Sequence, residues 1–263
     1  MTAARLKKFA GRSYVLLAIE LAIIVACWQI AVAELDLVNP VFLPAPTEIL
    51  VGFKELVESG DLWTNVQASF TAYVLGLGLA IVVGIVVGLL LGSFIPVDKL
   101  VGPVLWAVYA VPWLAYRPLS VVWFGFGRGP VIFLAFVAAV FPIIINTAAG
   151  ARTVSPSFLN AGRVFGMRTP AIFRKIVIPS TLPFIFVGVR QSAILAALGV
   201  LVAELTGSAE GVGALISLST NSFQTERAFA AIAMAIVWMF FVGELLKHLS
   251  DRLGRWNTTA GQR

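Results

Sequence analysis

Apolar runs of about twenty residues recur along this chain, and they constrain it more than any other feature. A helix that crosses a bilayer needs about 20 mostly apolar residues, each rising 1.5 Å through a hydrocarbon layer of roughly 30 Å. Six runs meet that length: Tyr14–Ala33, Val66–Gly92, Leu100–Tyr116, Pro130–Gly150, Pro179–Leu205 and Ala228–Leu246. The composition agrees, with 59% hydrophobic and only 12% charged residues. A soluble domain carries about 25% charged residues, and so few charges do not cover a water-facing surface. Disorder is excluded by the same balance. One cysteine, Cys27, excludes a disulfide scaffold, and one Cys with one His (His248) excludes the usual zinc site. The first run is too long for a signal peptide, is interrupted by Glu20 and ends without a small-residue cleavage site. We read it as a retained helix. The chain is therefore expected to be an all-α integral membrane protein with six transmembrane helices. Pro103 and Pro112 in the third span and Pro142 in the fourth predict kinks that neighbouring helices absorb.

Charge sets the orientation. With both termini in the cytoplasm, the inside segments 1–13, 92–99, 151–178 and 247–263 hold 14 of the 19 Lys and Arg. The outside segments 34–66, 116–129 and 205–228 hold 4, and Arg190 lies within a span. Basic residues mark cytoplasmic loops, so both termini are expected inside. The same scatter argues against nucleic acid, which needs one basic stripe. The whole of 1–263 reads as a single transmembrane domain. It has a cytoplasmic tail 1–13, an extracytoplasmic segment 34–66, a cytoplasmic loop 151–178 and a short tail 247–263.

The connecting segments are not plain turns. In 34–66, Pro40, Pro44 and Pro46 precede a stretch, Thr47 to Val57, whose apolar residues repeat at helical spacing. A helix lying on the membrane surface is expected there. The second span carries Gly76, Ala80, Gly84, Gly88 and Gly92 four residues apart, which puts small residues on one face for close helix approach. Gly84 and Gly88 are candidates for a pathway or subunit interface. The loop 151–178 holds Arg152, Arg163, Arg168, Arg174 and Lys175 and no acidic residue. Pro156 starts one helical stretch, Gly166 closes it, and Pro170 suits the first turn of a second. Two short helices with an apolar stripe and a basic face form a docking element for a cytoplasmic partner.

The residues of this loop carry a resemblance. Asn160-Ala161-Gly162, then Gly166, then Ile176-Val177-Ile178-Pro179 resembles the cytoplasmic loop signature of ABC-type importer permeases: Glu-Ala-Ala, three residues, Gly, nine residues, Ile-x-Leu-Pro. Every spacing matches; Asn160, Gly162 and Ile178 differ in type. Leu43-Pro44-Ala45-Pro46-Thr47, Pro118-Leu119, Trp123-Phe124-Gly125-Phe126-Gly127, Phe141-Pro142-Ile143 with Asn146, Gly188-Val189-Arg190, and Leu201-Val202-Ala203-Glu204 before Gly211-Val212-Gly213 are similar to the sulfonate, nitrate and taurine branch. The resemblance implies a type I ABC importer-like core in the bacterial cytoplasmic (inner) membrane. It implies a second permease copy, two cytoplasmic ATPase subunits that bind ATP and Mg in place of this chain, and an extracytoplasmic solute-binding protein. The substrate implied is a small anion such as a sulfonate or nitrate. The ATPase-coupling residues would be Asn160, Ala161, Gly162, Arg163, Phe165, Gly166, Ile176, Ile178 and Pro179.

Charges within spans point to function, because they are costly there. Arg190 and Glu204 stand 14 residues apart, about 21 Å along a helix, and do not pair with each other. Both, with Asn146, are candidates for the pathway or subunit interface. Arg117 and Arg128 flank the aromatic, Gly-rich stretch at Trp123–Gly129 and are candidates for binding-protein docking. No Gly-x-x-x-x-Gly-Lys-Ser/Thr loop, His-Glu-x-x-His helix or Gly-x-Ser-x-Gly elbow occurs, so the chain is not expected to be an enzyme. The competing reading is an ion-gradient-driven carrier using Arg190 and Glu204 as substrate and proton sites.

Overall fold

A computed structural model of the chain describes residues 16–17 and 19–253, with side chains as far as Glu244. The tail 1–13 with Arg5, Lys7, Lys8 and Arg12, and the side chains of the tail 247–263 including His248, lie outside the described residues. Every regular element among the described residues is helical. In chain order they are α1 (19–29, passing into a π turn, Ile30–Glu34), α2 (Pro46–Glu58), α3 (Asp61–Ser93) and α4 (Ile95–Ala110). Then come α5 (Arg117–Phe124), α6 (Arg128–Arg152), α7 (Pro156–Val164), α8 (Thr169–Ile172), α9 (Ile178–Leu205), α10 (Val212–Asn221) and α11 (Thr225–Leu253). Four stretches are long and apolar enough to cross a membrane: Asp61–Ser93, Arg128–Arg152, Thr169–Leu205 and Thr225–Glu244. The bent pair Ile95–Ala110 and Trp113–Phe124 makes a fifth when taken as one span.

The chain folds as two compact units. One holds the described residues up to Trp63 with Leu215–Ala233. Here α2 starts at Pro46, where a missing N–H costs nothing. The Glu48 carboxylate accepts from the Ala45 N–H at 2.8 Å, and Gln29 of α1 both accepts from the Thr47 N–H at 3.1 Å and donates to the Thr47 hydroxyl at 3.0 Å. The amphipathic helix expected at Thr47–Val57 is this α2. It buries Gly52 and Leu56 and leaves Leu50, Val51 and Val57 exposed. Gly52 lies against the first turn of α11, where an added Cβ would sit 2.7 Å from the Glu226 carbonyl carbon. Arg227 and Asp61 pair at 2.9 Å and join the first turns of α11 and α3.

The other unit holds Thr64–Ala214 and the described residues from Met234. Its centre is α6, whose apolar window is 72% buried against 39% in α3 and 44% in the stretch containing α9. Glycines set the spacing on both sides of it. Added Cβ atoms at Gly76, Gly84 and Gly88 of α3 would lie 2.6, 2.7 and 2.6 Å from Cβ of Ala135, Ile143 and Thr147. From α9, a Cβ at Gly188 would meet Asn146 Cβ at 3.1 Å, and one at Gly199 would meet Ala135 Cα at 3.1 Å. The expected small-residue stripe of the second span is thus a backbone-to-backbone seam within the chain. Tyr73 of α3 meets Trp238 of α11 edge to face at 5.8 Å.

Three expectations change. The third span starts at Ile95 and breaks at Val111-Pro112, and its second arm, Trp113–Phe124, turns by 90°. Pro112 has no N–H and forces Val111 out of the helical region, to φ −76° and ψ 126°. Segment 116–129 is therefore helical through α5; only Gly125 and Gly127, at φ 73° and 117°, form a turn. Segment 205–228 contains a further helix, α10, that period counting of long spans passes over.

Replacing Gly88 by Leu is expected to destabilise the protein by about 1–3 kcal/mol, because Thr147 stands where the new side chain begins. Gly78→Leu, on the same helix with nothing within 4 Å of its Cβ direction, is expected to stay within about 1 kcal/mol of the parent. Equilibrium unfolding of the two variants in mixed micelles checks the contrast.

Candidate functional site

The loop after α6 is built from local signals. Pro156 opens α7 and the Ser155 hydroxyl accepts from the Ser157 N–H at 3.3 Å, a standard helix start. At the far end Gly166 takes φ +72°, a conformation that costs most residues a Cβ clash. Its N–H reaches the Arg163 carbonyl and the Met167 N–H reaches the Gly162 carbonyl, each at 2.9 Å. These bonds satisfy carbonyls left free by the end of the helix. Gly162 is buried under α8, and its Cβ direction meets Ile176 Cδ1 at 3.1 Å and Ile172 Cγ1 at 3.3 Å. The chain then runs through α8 and a π turn, Phe173–Val177, directly into α9. Val177 is buried with Leu89 and Ala151, and Ile178 packs on them from the first turn of α9, where Pro179 needs no N–H partner.

Ile176 and Ile178 thus act as anchors, and Gly162 and Gly166 as spacing and turn. What remains outside is apolar: Phe158, Val164 and Phe165 are 63%, 84% and 85% exposed. Around them Arg163, Arg168, Arg174 and Lys175 are exposed. Asn160 and Ala161 are exposed too, and Asn160 accepts from Arg163 Nη1 at 3.4 Å.

Glu204 is not exposed at a span end. It is 1% exposed and receives the Ser69 hydroxyl, at 2.8 and 2.9 Å to its two oxygens, and the Gly213 N–H at 3.0 Å. Ser69 in turn accepts from the Val212 N–H at 2.9 Å, and Asn65 accepts from the Gly211 N–H at 2.7 Å. Together they satisfy the free N–H groups at the start of α10, where a negative charge is also favoured by the helix dipole. Gly211, at φ +115°, leaves no room for a Cβ beside the Glu204 carboxylate, and Gly213 lets α10 approach α9, with a would-be Cβ at 2.7 Å from Glu204 Cβ. The Ser69 hydroxyl and the Gly213 N–H thus tie Glu204 to the start of α10.

Arg117 also turns inward. It is 9% exposed and donates from Nε to Thr206 Oγ1 at 3.1 Å, so it offers no cation to a docking partner, contrary to expectation. Arg128 is half-exposed and paired with Glu210 at 2.7 Å. Gly84 and Gly88 face α6. Arg190 is exposed on α9, and Asn146 is half-buried on α6, donating to the Pro142 carbonyl at 2.8 Å. Sequence reasoning missed Ser69, Asn65 and Gln191. Ser69 and Asn65 had one legible signal: they extend the small-residue face of α3 beyond Gly76.

The model of the family described as "Binding-protein-dependent transport system inner membrane component" matches residues 50–255. A protein of Bacillus subtilis (strain 168) named for aliphatic sulfonates transport, the permease SsuC, is 34% identical over 238 residues, 90% of this chain and 86% of that protein. The taurine transport system permease protein TauC of Escherichia coli (strain K12) is 29% identical, over 90% of this chain and 88% of its own. Among solved structures, the MetNI methionine ABC transporter in inward-facing conformations superposes with a TM-score of 0.62 at 16% identity, covering 73% of this chain and 93% of that one. That likeness is one of fold.

Removing the Ser69 hydroxyl with Ser69→Ala leaves the Val212 N–H without its buried partner and Glu204 with the Gly213 N–H alone. The expected cost is about 1–3 kcal/mol, expressed first as faster hydrogen exchange over 206–213. Unchanged exchange there would show that the hydroxyl does not hold the cap.

Proposed function

The chain belongs to the family of binding-protein-dependent transport system inner membrane components, and on that membership we propose that it is the pathway-forming permease of an ATP-driven importer. In this reading the whole chain, 1–263, acts as one transmembrane domain with six spans and both termini in the cytoplasm. The excess of Lys and Arg in the segments assigned inside supports that orientation. A second copy completes the pathway. Two cytoplasmic ATPase subunits supply ATP binding, with its Mg, and hydrolysis. A solute-binding protein delivers the solute to the extracytoplasmic face, where α2 lies along the membrane surface and Arg128 stands exposed in its pair with Glu210.

One observation carries the reading: the loop between α6 and α9 is held rigidly from below and is apolar outside. Phe158, Val164 and Phe165 together form the exposed apolar patch of a helix that ends in a fixed turn. Patches of that kind mark protein partners. A groove on the ATPase, with acidic groups facing the four surrounding cations, is the matching surface. When the ATPases close on ATP, α7 moves with them, and the direct path through α8 into α9 carries the motion into the membrane. Relatives named for aliphatic sulfonates and for taurine favour a small organic anion as the solute. Nitrate is the inorganic member of the same oxoanion class.

Phe165→Asp tests this without touching the fold, because Phe165 is 85% exposed. The permease purified in mild detergent is expected to retain an ATPase. The Phe165→Asp form is expected to lose it while its melting temperature stays within about 2 °C. An ATPase retained equally by both forms would place the coupling surface elsewhere. The absence of any ATPase from the unaltered protein would remove the importer reading.

A further inference from the structure

Arg190 sits where a charge is hardest to hold. It is about 18 Å along α9 from Ile178 and about 22 Å from Leu205, well inside a hydrocarbon layer of roughly 30 Å. It is exposed at the surface of the chain, and none of the ion pairs among the described residues includes it. The residues around it on that face are apolar: Val187, Ile194 and Leu198 are 58%, 44% and 38% exposed. An arginine turned to lipid at this depth is expensive, and such residues face a water-filled cavity or a partner.

Two amides lie beside it. Gln191 is exposed, and its Oε1 is 3.5 Å from Asn146 Nδ2 on α6. That contact occupies the Gln191 oxygen and leaves its –NH2 group as a free donor. The neighbouring face of α6 borders a separate cavity, which Ile145 and Ala149 line with Trp106 and Tyr109 of α4 and with the Asp98–Arg152 pair. The surface at Arg190 therefore presents its guanidinium and two amides, and no ion pair among the described residues brings a carboxylate to it. Its chemistry is that of an anion site: a guanidinium offers a planar fork of N–H groups that fits an oxoanion in two places at once.

We propose that Arg190, with the Gln191 amide held by Asn146, is a resting station for a small oxoanion on its way across the membrane. The proposal builds on the permease reading and adds that the permease itself selects by charge. Selection is then not left wholly to the delivering protein. The station takes a sulfonate, a nitrate or a carboxylate through the same two contacts. A cation of equal size meets an unpaired guanidinium and is repelled.

The test uses a thiol reporter one turn away, Val187→Cys, in a Cys27→Ser background because Cys27 is exposed. Native membranes carrying the complex are treated with an anionic reagent, sulfonatoethyl methanethiosulfonate, or a cationic one, trimethylammonioethyl methanethiosulfonate. Each rate is normalised to that of a free thiol. The anionic reagent is expected to react roughly fivefold faster or more, the bias of unit charges about 7 Å apart in a wet groove. Arg190→Lys is expected to keep the bias, Arg190→Gln to abolish it, and millimolar methanesulfonate to slow the anionic reagent. Labelling without bias, or a bias unchanged by Arg190→Gln, overturns the station and leaves the permease reading standing. No labelling by either reagent also overturns it and places lipid or the second copy over this face. The permease reading is judged separately, by whether an ATPase is retained.

Discussion

The approach of α3 and α9 to the backbone of α6 is the constraint on which the membrane-spanning unit depends. Lipid tails are as apolar as leucine, so helices in a bilayer gain nothing by hiding apolar side chains from each other. Association must come from close contact. Glycine at 76, 84 and 88 lets α3 come within reach of Ala135, Ile143 and Thr147, and glycine at 188 and 199 does the same for α9. A side chain at 76, 84 or 88 would start inside a neighbour, and one at 188 or 199 would push a neighbour aside. The result is a three-helix block with α6 in the middle. In the block, α9 begins beside the α7–α8 loop and ends at the Glu204 cap.

That block also seats the loop. Val177 and Ile178 are seated on Leu89 and Ala151, at the end of the seam. Gly162 and Gly166 fix where α7 lies and where it stops. Phe158, Val164 and Phe165 are left exposed on the loop. At the other end of α9, Glu204 and Ser69 tie α10 to α3 through buried hydrogen bonds, in a setting where an unpaired polar group would be costly.

How much of this was legible follows from how far apart the partners stand. The α2 helix and the α7 turn were readable because their signals are local: a Pro start, helical spacing, a Gly stop. The glycine stripe was readable as an approach surface, but not its target, because Thr147 lies 59 positions from Gly88. The surroundings of Glu204 were not legible for the same reason: Ser69, which donates to it, is 135 residues away. Arg117 looked like a surface cation beside a Gly-rich turn; its partner Thr206 is 89 residues on. The break at Pro112 was half legible. A proline predicts a kink, but a right-angle turn also needed Val111 forced out of the helix and a second helix, α5, to follow.

The most direct measurement is a size-exchange cycle across the α3–α6 seam, at Gly76 and Ala135. The account predicts that Gly76→Ala destabilises the protein, because the new methyl meets Ala135 Cβ at 2.6 Å. It also predicts that adding Ala135→Gly restores stability, with a favourable coupling of about 1 kcal/mol or more between the two sites. Additive losses, with coupling below about 0.5 kcal/mol, would contradict a seam held by backbone approach at this point.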